Sequence, residues 1–343
     1  MPELRKDPIV ERWVIISAER GKRPSDFRSS EKKVGKVNSC PFCEGREKET
    51  PPEIFALRSK RTLPDTPGWE VRVVPNKFPA LTNSVDRKNV GAQFVGAQFI
   101  EPDNFFKIVP GKGHHEVIVE SPKHIIYLED LPLSQIEKVL LVYQNRYLQL
   151  KNDKNLRYIL IFKNCGERTG ASLEHTHSQL MATPVLPKRI SEELNGAGNY
   201  YETEGRCIFC DLIKEEKRKK ERLIEETESF ILLSPFASRF AFEMIILPKR
   251  HISNFEEIKK DEIRELASLL KKVLLKMGRL LNRPSYNYLI HTAPLLKDDY
   301  TQKYHWHIEL FPRLTEIGGF EWGTGSYINS VSPEKATEFL KPL

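Results

Sequence analysis

Apolar residues recur along this chain with two different periods, and the two kinds of stretch alternate. Over 116–120, 157–162, 242–247 and 307–311 they alternate or cluster as they do in half-buried and buried strands. Over 133–150 and 260–281, Leu, Ile and Val fall three and four residues apart, which predicts amphipathic helices packed on those strands. Two stretches are near copies of each other: HEVIVESPKHIIYLEDL and FEMIILPKRHISNFEEI each run from an apolar strand through a Pro turn and a His to an acidic helix entrance. The pattern predicts an α+β fold built from two copies of one unit, each an antiparallel sheet flanked by helices. The polar, Gly-containing segment NGAGNYYETEG marks a boundary within 190–205. The expected units are therefore residues 1–195 and 196–343.

Length agrees with two units, because 343 residues exceed what one hydrophobic core usually serves. With 39% hydrophobic residues, 18 Phe and 11 Tyr there is ample material for both cores. No run approaches the roughly 20 apolar residues of a membrane helix, and MPELRKDPIVERWVI lacks the apolar centre of a signal peptide. A cytoplasmic location without a membrane partner is expected. The net charge of +7 is spread among 47 acidic residues, as in KEEKRKKERLIEE at 214–226, which is the composition of a solvated helix face. Nucleic acid is therefore not an expected partner, whereas small anionic substrates such as sugar phosphates suit the basic balance.

Four of the five cysteines form two Cys-x-x-Cys pairs, and each pair leads to a Pro-basic-His step and then to a His-x-His step. CPFC at 40–43 precedes SPKH ending at His124 and HTH at 175–177; CIFC at 207–210 precedes LPKRH ending at His251 and HWH at 305–307. Zinc takes thiolate and imidazole ligands tetrahedrally. The repeat gives Cys40, Cys43, His124 and His175 as one site, and Cys207, Cys210, His251 and His305 as a second. Four protein ligands leave no open position, so a structural role is expected. A redox pair or buried apolar thiols would explain one Cys-x-x-Cys, but not two at equivalent places. His291 offers an alternative at the second site: with Glu193, His305 and His307 it would form a nitrogen and oxygen site for iron, in competition for His305. His114 and His115, at a strand start, read as ordinary surface or hydrogen-bonded histidines.

The segment FKNCGERTGASLEHTHSQ leaves a strand, passes Gly166 and Gly170, and ends in His175-Thr176-His177-Ser178-Gln179. Strand alternation points His175 and His177 to one face, so one can bind metal while the other meets substrate. A neutral imidazole attacks phosphorus without first losing a proton, and the resulting phosphoramidate stays reactive enough to pass its group on. Gly170, Ala171 and Ser172 would let backbone N–H groups approach phosphate oxygens, and Gln179 would donate to a non-bridging oxygen. A second pair of metal-binding or core histidines is the plainer alternative. It leaves the Gly-rich turn and Gln179 unexplained.

GASLEHTHSQ resembles the active-site motif of the galactose-1-phosphate uridylyltransferases, a branch of the histidine triad superfamily. DPIVERWVIISAERGKRPSDF, CPFC, VRVVPNKFPAL, HEVIVESPKH and GGFEWGTGSYINSVSPEKATEF follow in that family's order over nearly the whole chain. The resemblance implies two histidine-triad-like domains, His177 as the nucleotide-accepting residue, His175 as a zinc ligand and Gln179 as the phosphate partner. It further implies nucleotide contacts at Asn76, Phe78, Asn164 and Ser172, phosphate contacts at Arg20 and Arg23, and a sugar-covering segment with Gly319, Phe320, Gly323 and Tyr327, supplied by the partner of a homodimer. The expected reaction is ping-pong transfer of UMP from UDP-glucose to galactose 1-phosphate. Thr176 stands where better-known members carry Pro, and the second Cys2His2 set is complete. Both features are similar to the related ADP-glucose phosphorylases, which makes adenylyl transfer the alternative. A non-catalytic zinc-stabilised nucleotide-binding module is the reading from another class. Glu309 stands at the place of Gln179 in the second half, so one catalytic centre per chain is expected.

Overall fold

The computed structural model describes residues 2–16, 40–58, 61–83, 110–295 and 300–341. In chain order the elements are β1 (Glu3–Lys6), β2 (Trp13–Ile16), β3 (Phe55–Arg58), β4 (Trp69–Pro75), β5 (His114–Val119), α1 (Leu133–Leu150), β6 (Tyr158–Cys165) and β7 (His177–Thr183). There follow α2 (Lys188–Glu204), α3 (Ile208–Lys219), β8 (Leu223–Glu226), β9 (Phe230–Leu233), β10 (Met244–Pro248), α4 (Lys260–Leu281), β11 (Tyr286–His291) and β12 (His307–Pro312). The last elements are α5 (Gly319–Thr324), β13 (Tyr327–Asn329) and α6 (Pro333–Leu340). All four strands and both helices read from the apolar pattern are present. No helix among the described residues is long and apolar enough to cross a membrane.

The repeat is visible in the sheet. Strand order runs β3-β4-β5-β7-β6 in the first half and β8-β9-β10-β12-β11 in the second. The halves do not keep separate sheets, however. β6 pairs antiparallel with β11, Asn164 opposite Asn287 and Ile161 opposite Ile290, so ten strands make one continuous sheet. Two open edges that would otherwise present unpaired N–H and C=O groups are thereby joined.

One face of this sheet is covered by α1 and α4. Ile118, Ile159, Ile161, Leu180, Tyr288, Ile290, Ile308 and Leu310 alternate onto that face and bury against Ile136, Val139, Leu140 and Tyr143 of α1 and Leu266, Leu270 and Leu274 of α4. The opposite face carries His177 and Gln179 in the first half, and His307 and Glu309 in the second. In the second half it is covered by α2 and α3, whose Leu194, Ala197, Phe209 and Ile213 bury against Leu233, Ile245 and Leu247.

The segment read as a polar boundary is helix α2 itself. Its Ile190, Glu193, Leu194 and Ala197 are buried at helical spacing. Gly196 belongs there because a Cβ would lie 1.7 Å from the carbonyl oxygen of Ile9. A small sheet of β1, β2 and β13 flanks the second half, with Tyr327 of β13 opposite Val14 of β2.

Candidate active site

Each Cys-x-x-Cys turn meets its two distant histidines. Cys40 Sγ lies 3.5 Å from His175 Nδ1, and Cys43 Sγ lies 3.5 Å from His124 Nδ1 and 3.7 Å from His175 Nδ1. In the second half Cys210 Sγ lies 3.3 Å from His251 Nδ1 and 3.8 Å from His305 Nδ1. Tetrahedral ligands with zinc–sulfur and zinc–nitrogen bonds of ordinary length stand roughly 3.6 Å apart, so both donor sets fit a common tetrahedral ion. The tautomers agree: His175 Nε2–H donates to the Ser121 carbonyl at 2.8 Å, His305 Nε2–H to Pro248 at 2.7 Å and His251 Nε2–H to Thr301 at 2.5 Å. Each leaves its Nδ1 lone pair toward the sulfurs. Burial pushes His175 down to about 4, which keeps it a neutral ligand. Burial, with Cys40 beside it, pushes the Cys43 thiol up to about 11. A pair of thiolates there calls for a cation.

The His175-Thr176-His177 step is shaped from both sides of the sheet. β6 ends at Cys165, and the chain turns at Gly166, whose φ of +88° and contact with Ser285 exclude a Cβ. It reaches the start of β7 with His177 opposite Val119. His177 Nδ1–H donates to the His175 carbonyl at 2.7 Å, which leaves Nε2 unprotonated. Phe42, between the two cysteines, packs edge-on against the ring with centroids 5.3 Å apart. Burial lowers the His177 pKa, with Lys163 acting in the same direction. The group is a neutral imidazole with a free lone pair.

Behind the step, on the helix-covered face, lies a buried polar network that the sequence did not disclose. Lys163 Nζ donates to Glu120 at 2.5 Å, to Thr176 Oγ1 at 2.9 Å and to the His177 carbonyl at 2.9 Å. Thr176 and Ser178 donate to the two oxygens of Glu120, and Tyr143 OH lies 3.0 Å from Glu120 and 2.6 Å from Tyr288 OH. Burial alone would raise the Glu120 carboxyl, but Lys163 and the hydroxyls outweigh it and hold the group below its ordinary value. The pair grips the backbone of the His175–His177 step.

On the open face, Gln179 Oε1 lies 2.8 Å from His115 Nε2, and Asn76 Nδ2 lies 3.1 Å from the same nitrogen. Asn164 Oδ1 accepts from Asn287 at 2.7 Å, which leaves the Asn164 amide N–H bonds free to donate. Ser172 and Phe78 are exposed, Phe78 at 83%. Gly170, at φ +83°, closes a short 3-10 turn over Glu167–Thr169 and leads into Ala171. His177, Gln179, Asn164, Asn76 and the Gly170 turn thus belong to the first half of the sheet. Gly319, Phe320, Gly323 and Tyr327 do not join them; Tyr327 packs against Phe240 with centroids 5.4 Å apart, in the second half. Arg20 and Arg23 lie outside the described residues.

The second half repeats the geometry with its chemistry altered. His307 Nδ1 is 3.1 Å from the His305 carbonyl, as in the first half, and Phe209 packs on its ring at 5.4 Å. Its Nε2 faces Glu193 of α2 at 3.9 Å, and Glu193 also holds His291 Nδ1 at 3.0 Å. Burial would raise the Glu193 carboxyl, yet His291 holds it below its ordinary value. Glu309 is taken by Arg189 at 2.6 Å and Arg239 at 2.7 Å. The alternative iron set changes accordingly. Glu193, His291 and His307 do converge, but their fourth neighbour is Glu309, while His305 groups with the cysteines. The expected competition for His305 is absent.

Residues 1–187 match the galactose-1-phosphate uridyl transferase N-terminal domain and residues 193–328 the C-terminal domain of the same family. The chain is 40% identical over 347 residues to an ADP-glucose phosphorylase of Arabidopsis thaliana, covering 100% of this chain and 93% of the relative. It is 32% identical over 351 residues to a galactose-1-phosphate uridylyltransferase of Thermotoga maritima, covering 99% and 98%. The crystal structure of an ADP-glucose phosphorylase from Arabidopsis thaliana with bound ADP-glucose superposes with a TM-score of 0.82 at 36% identity, covering 100% of this chain and 99% of that one. A uridylyltransferase structure superposes at 0.74 with 27% identity, covering 99% and 97%.

Proposed function

Since the chain belongs to the galactose-1-phosphate uridylyltransferase family, we propose that it moves a nucleotidyl group between hexose 1-phosphates in two steps through His177. In the first, His177 Nε2 attacks the α-phosphorus of a nucleotide-sugar. The N–P bond forms, and the P–O bond to the sugar phosphate breaks with its electron pair, releasing hexose 1-phosphate. In the second, the phosphate oxygen of an acceptor attacks the same phosphorus and returns the lone pair to His177. The observation that carries this reading is the His177 ring, neutral and buried, with Nδ1–H given to the His175 carbonyl at 2.7 Å. That carbonyl also faces the positive charge that grows on the ring as the bond forms. Gln179, the Asn164 amide and the N–H groups of the Gly170–Ser172 turn are the proposed donors to the phosphate, Asn76 and Phe78 meet the nucleotide, and Arg20 and Arg23 meet phosphates.

Zinc is the ion we assign to both Cys2His2 sets, from their soft, tetrahedral donors. It would brace the loops around His175 and His305 and takes no part in the transfer. The assembly that goes with this reading is a cytoplasmic homodimer, in which the segment from Gly319 to Tyr327 covers a partner's sugar site.

UDP-glucose and galactose 1-phosphate are the substrates implied by the family's name. A second reading, with ADP-glucose as the nucleotide donor, is favoured by the 40% identity to the Arabidopsis phosphorylase across the full chain. Isotope exchange tests both. With one nucleotide-sugar and labelled glucose 1-phosphate alone, label should enter the nucleotide-sugar without any second acceptor. Exchange with UDP-glucose supports uridylyl transfer and exchange with ADP-glucose supports adenylyl transfer, whereas exchange with neither contradicts a covalent half-reaction.

A further inference from the structure

Taking nucleotidyl transfer through His177 as the reaction, we propose that His115 is a positioning residue: it fixes Gln179 with its amide N–H bonds toward the substrate phosphate and ties that orientation to the segment that meets the nucleotide.

His115 lies on β5 opposite Met181 of β7, on the same sheet face as Gln179 and diagonal to it. Two of the three polar contacts around its ring favour one tautomer. The Ala80 backbone N–H, which can only donate, gives its hydrogen to His115 Nδ1 at 3.1 Å. The ring proton is therefore on Nε2. Nε2 lies 2.8 Å from Gln179 Oε1, so the ring donates and the glutamine oxygen accepts. An amide whose oxygen is held behind presents its nitrogen in front. That choice matters chemically, since a phosphate oxygen in the transition state only accepts and would repel an amide turned the other way.

The same residue, through its backbone, also holds the chain beyond β4. The Asn76 N–H donates to the His115 carbonyl at 2.8 Å, and Asn76 Oδ1 accepts from the Phe78 N–H at 2.9 Å. Asn76 Nδ2 sits 3.1 Å from His115 Nε2, a donor–donor approach in this tautomer and the one contact that opposes it, while the Ala80 N–H and Gln179 Oε1 both favour it. His115 thus joins Ala80, through its ring, and Asn76, through its carbonyl, to Gln179, which lies two strands away across β5.

Two conservative replacements separate the two jobs of the ring. In His115→Gln an amide N–H2 stands near the place of Nε2 and can still donate to Gln179. In His115→Asn the shorter amide can still meet Ala80 but does not reach Gln179. Single-turnover transfer to His177 and steady-state kinetics with UDP-glucose and with ADP-glucose should show His115→Asn losing about 10- to 100-fold in kcat, with KM changed less than about threefold. His115→Gln should recover much of that loss. Added to Gln179→Leu, His115→Asn should cost nothing further, because its effect runs through Gln179. Equal losses in the Asn and Gln variants, or losses that multiply in the double variant, would overturn the proposal, as would an effect confined to KM. If the unaltered protein transfers neither nucleotide, the functional reading falls and the proposal with it; if it transfers one, the three variants decide the role of His115 alone.

Discussion

At the scale of single residues, the proposed chemistry rests on two rings whose protons are placed by backbone carbonyls and N–H groups. In the proposed reaction His177 attacks only when unprotonated, and burial lowers its pKa. The sign follows: as pH falls through the ordinary histidine value of about 6.5, an unfolded chain takes up a proton that the folded His177 refuses. The lowered pKa therefore favours the native state above that range, and this contribution is lost as pH falls through the folded value. For catalysis, the acid limb of kcat/KM for the first half-reaction should lie below about pH 6.5. A limb at or above the ordinary value would contradict the buried, neutral nucleophile. That His175, His177 and Gln179 lie together at one strand start was legible because a His-x-His beside a Gly-rich turn is a local pattern. Lys163, Glu120 and His115 were not. Lys163 sits 43 residues from Glu120, and the two meet only because β5, β6 and β7 are neighbours in the sheet. A lysine inside a strand looks exposed in sequence, and nothing local says that three acceptors surround it. His115, beside His114, carries no motif at all.

At the scale of elements, the Cys-x-x-Cys turns and the strand-to-helix corners act as clasps. The first clasp ties Cys40 and Cys43 to His124, which follows β5, and to His175, two residues before β7 begins. Removing one thiolate should free these segments together, since ligand binding and local folding are one equilibrium. Cys40→Ser is expected to lower the bound metal from two ions per chain to one by elemental analysis, with a clear fall in melting temperature. Full turnover and an unchanged metal count in that variant would show that the first set is not a metal site. The helices and strands were readable from apolar period, and so was the repeat. That the boundary segment is itself a helix, α2, was not readable, for physical reasons. Its inward face carries Glu193, buried against His291 and Tyr304, where a pattern search looks for an apolar residue. Its glycines, read as loop formers, include Gly196, which is small because the Ile9 backbone crosses the helix there.

At the scale of the whole molecule, one duplicated unit forms, among the described residues, a single ten-stranded sheet with two chemically unlike centres. The join at β6 and β11 was hidden in the sequence because each half carries a complete strand set, and edge pairing between halves leaves no periodic mark. The second centre keeps His307 and its carbonyl partner. Its face is covered by α2 and α3, Glu193 stands before the imidazole, and two arginines hold the residue equivalent to Gln179. The copy has kept the architecture and changed its chemistry: a cavity lined by Arg189, Glu193, His307 and Glu309 remains there, but two carboxylates stand where a phosphate would carry its own negative charge. One nucleotide per chain should therefore be carried, and on the first half only. The direct test is intact-protein mass spectrometry after incubation with UDP-glucose and, separately, ADP-glucose, on the native protein, His177→Ala and His307→Ala. A single nucleotidyl adduct on the native and His307→Ala proteins, absent from His177→Ala, is the expected result. An adduct that survives His177→Ala, or two adducts on one native chain, would contradict the account.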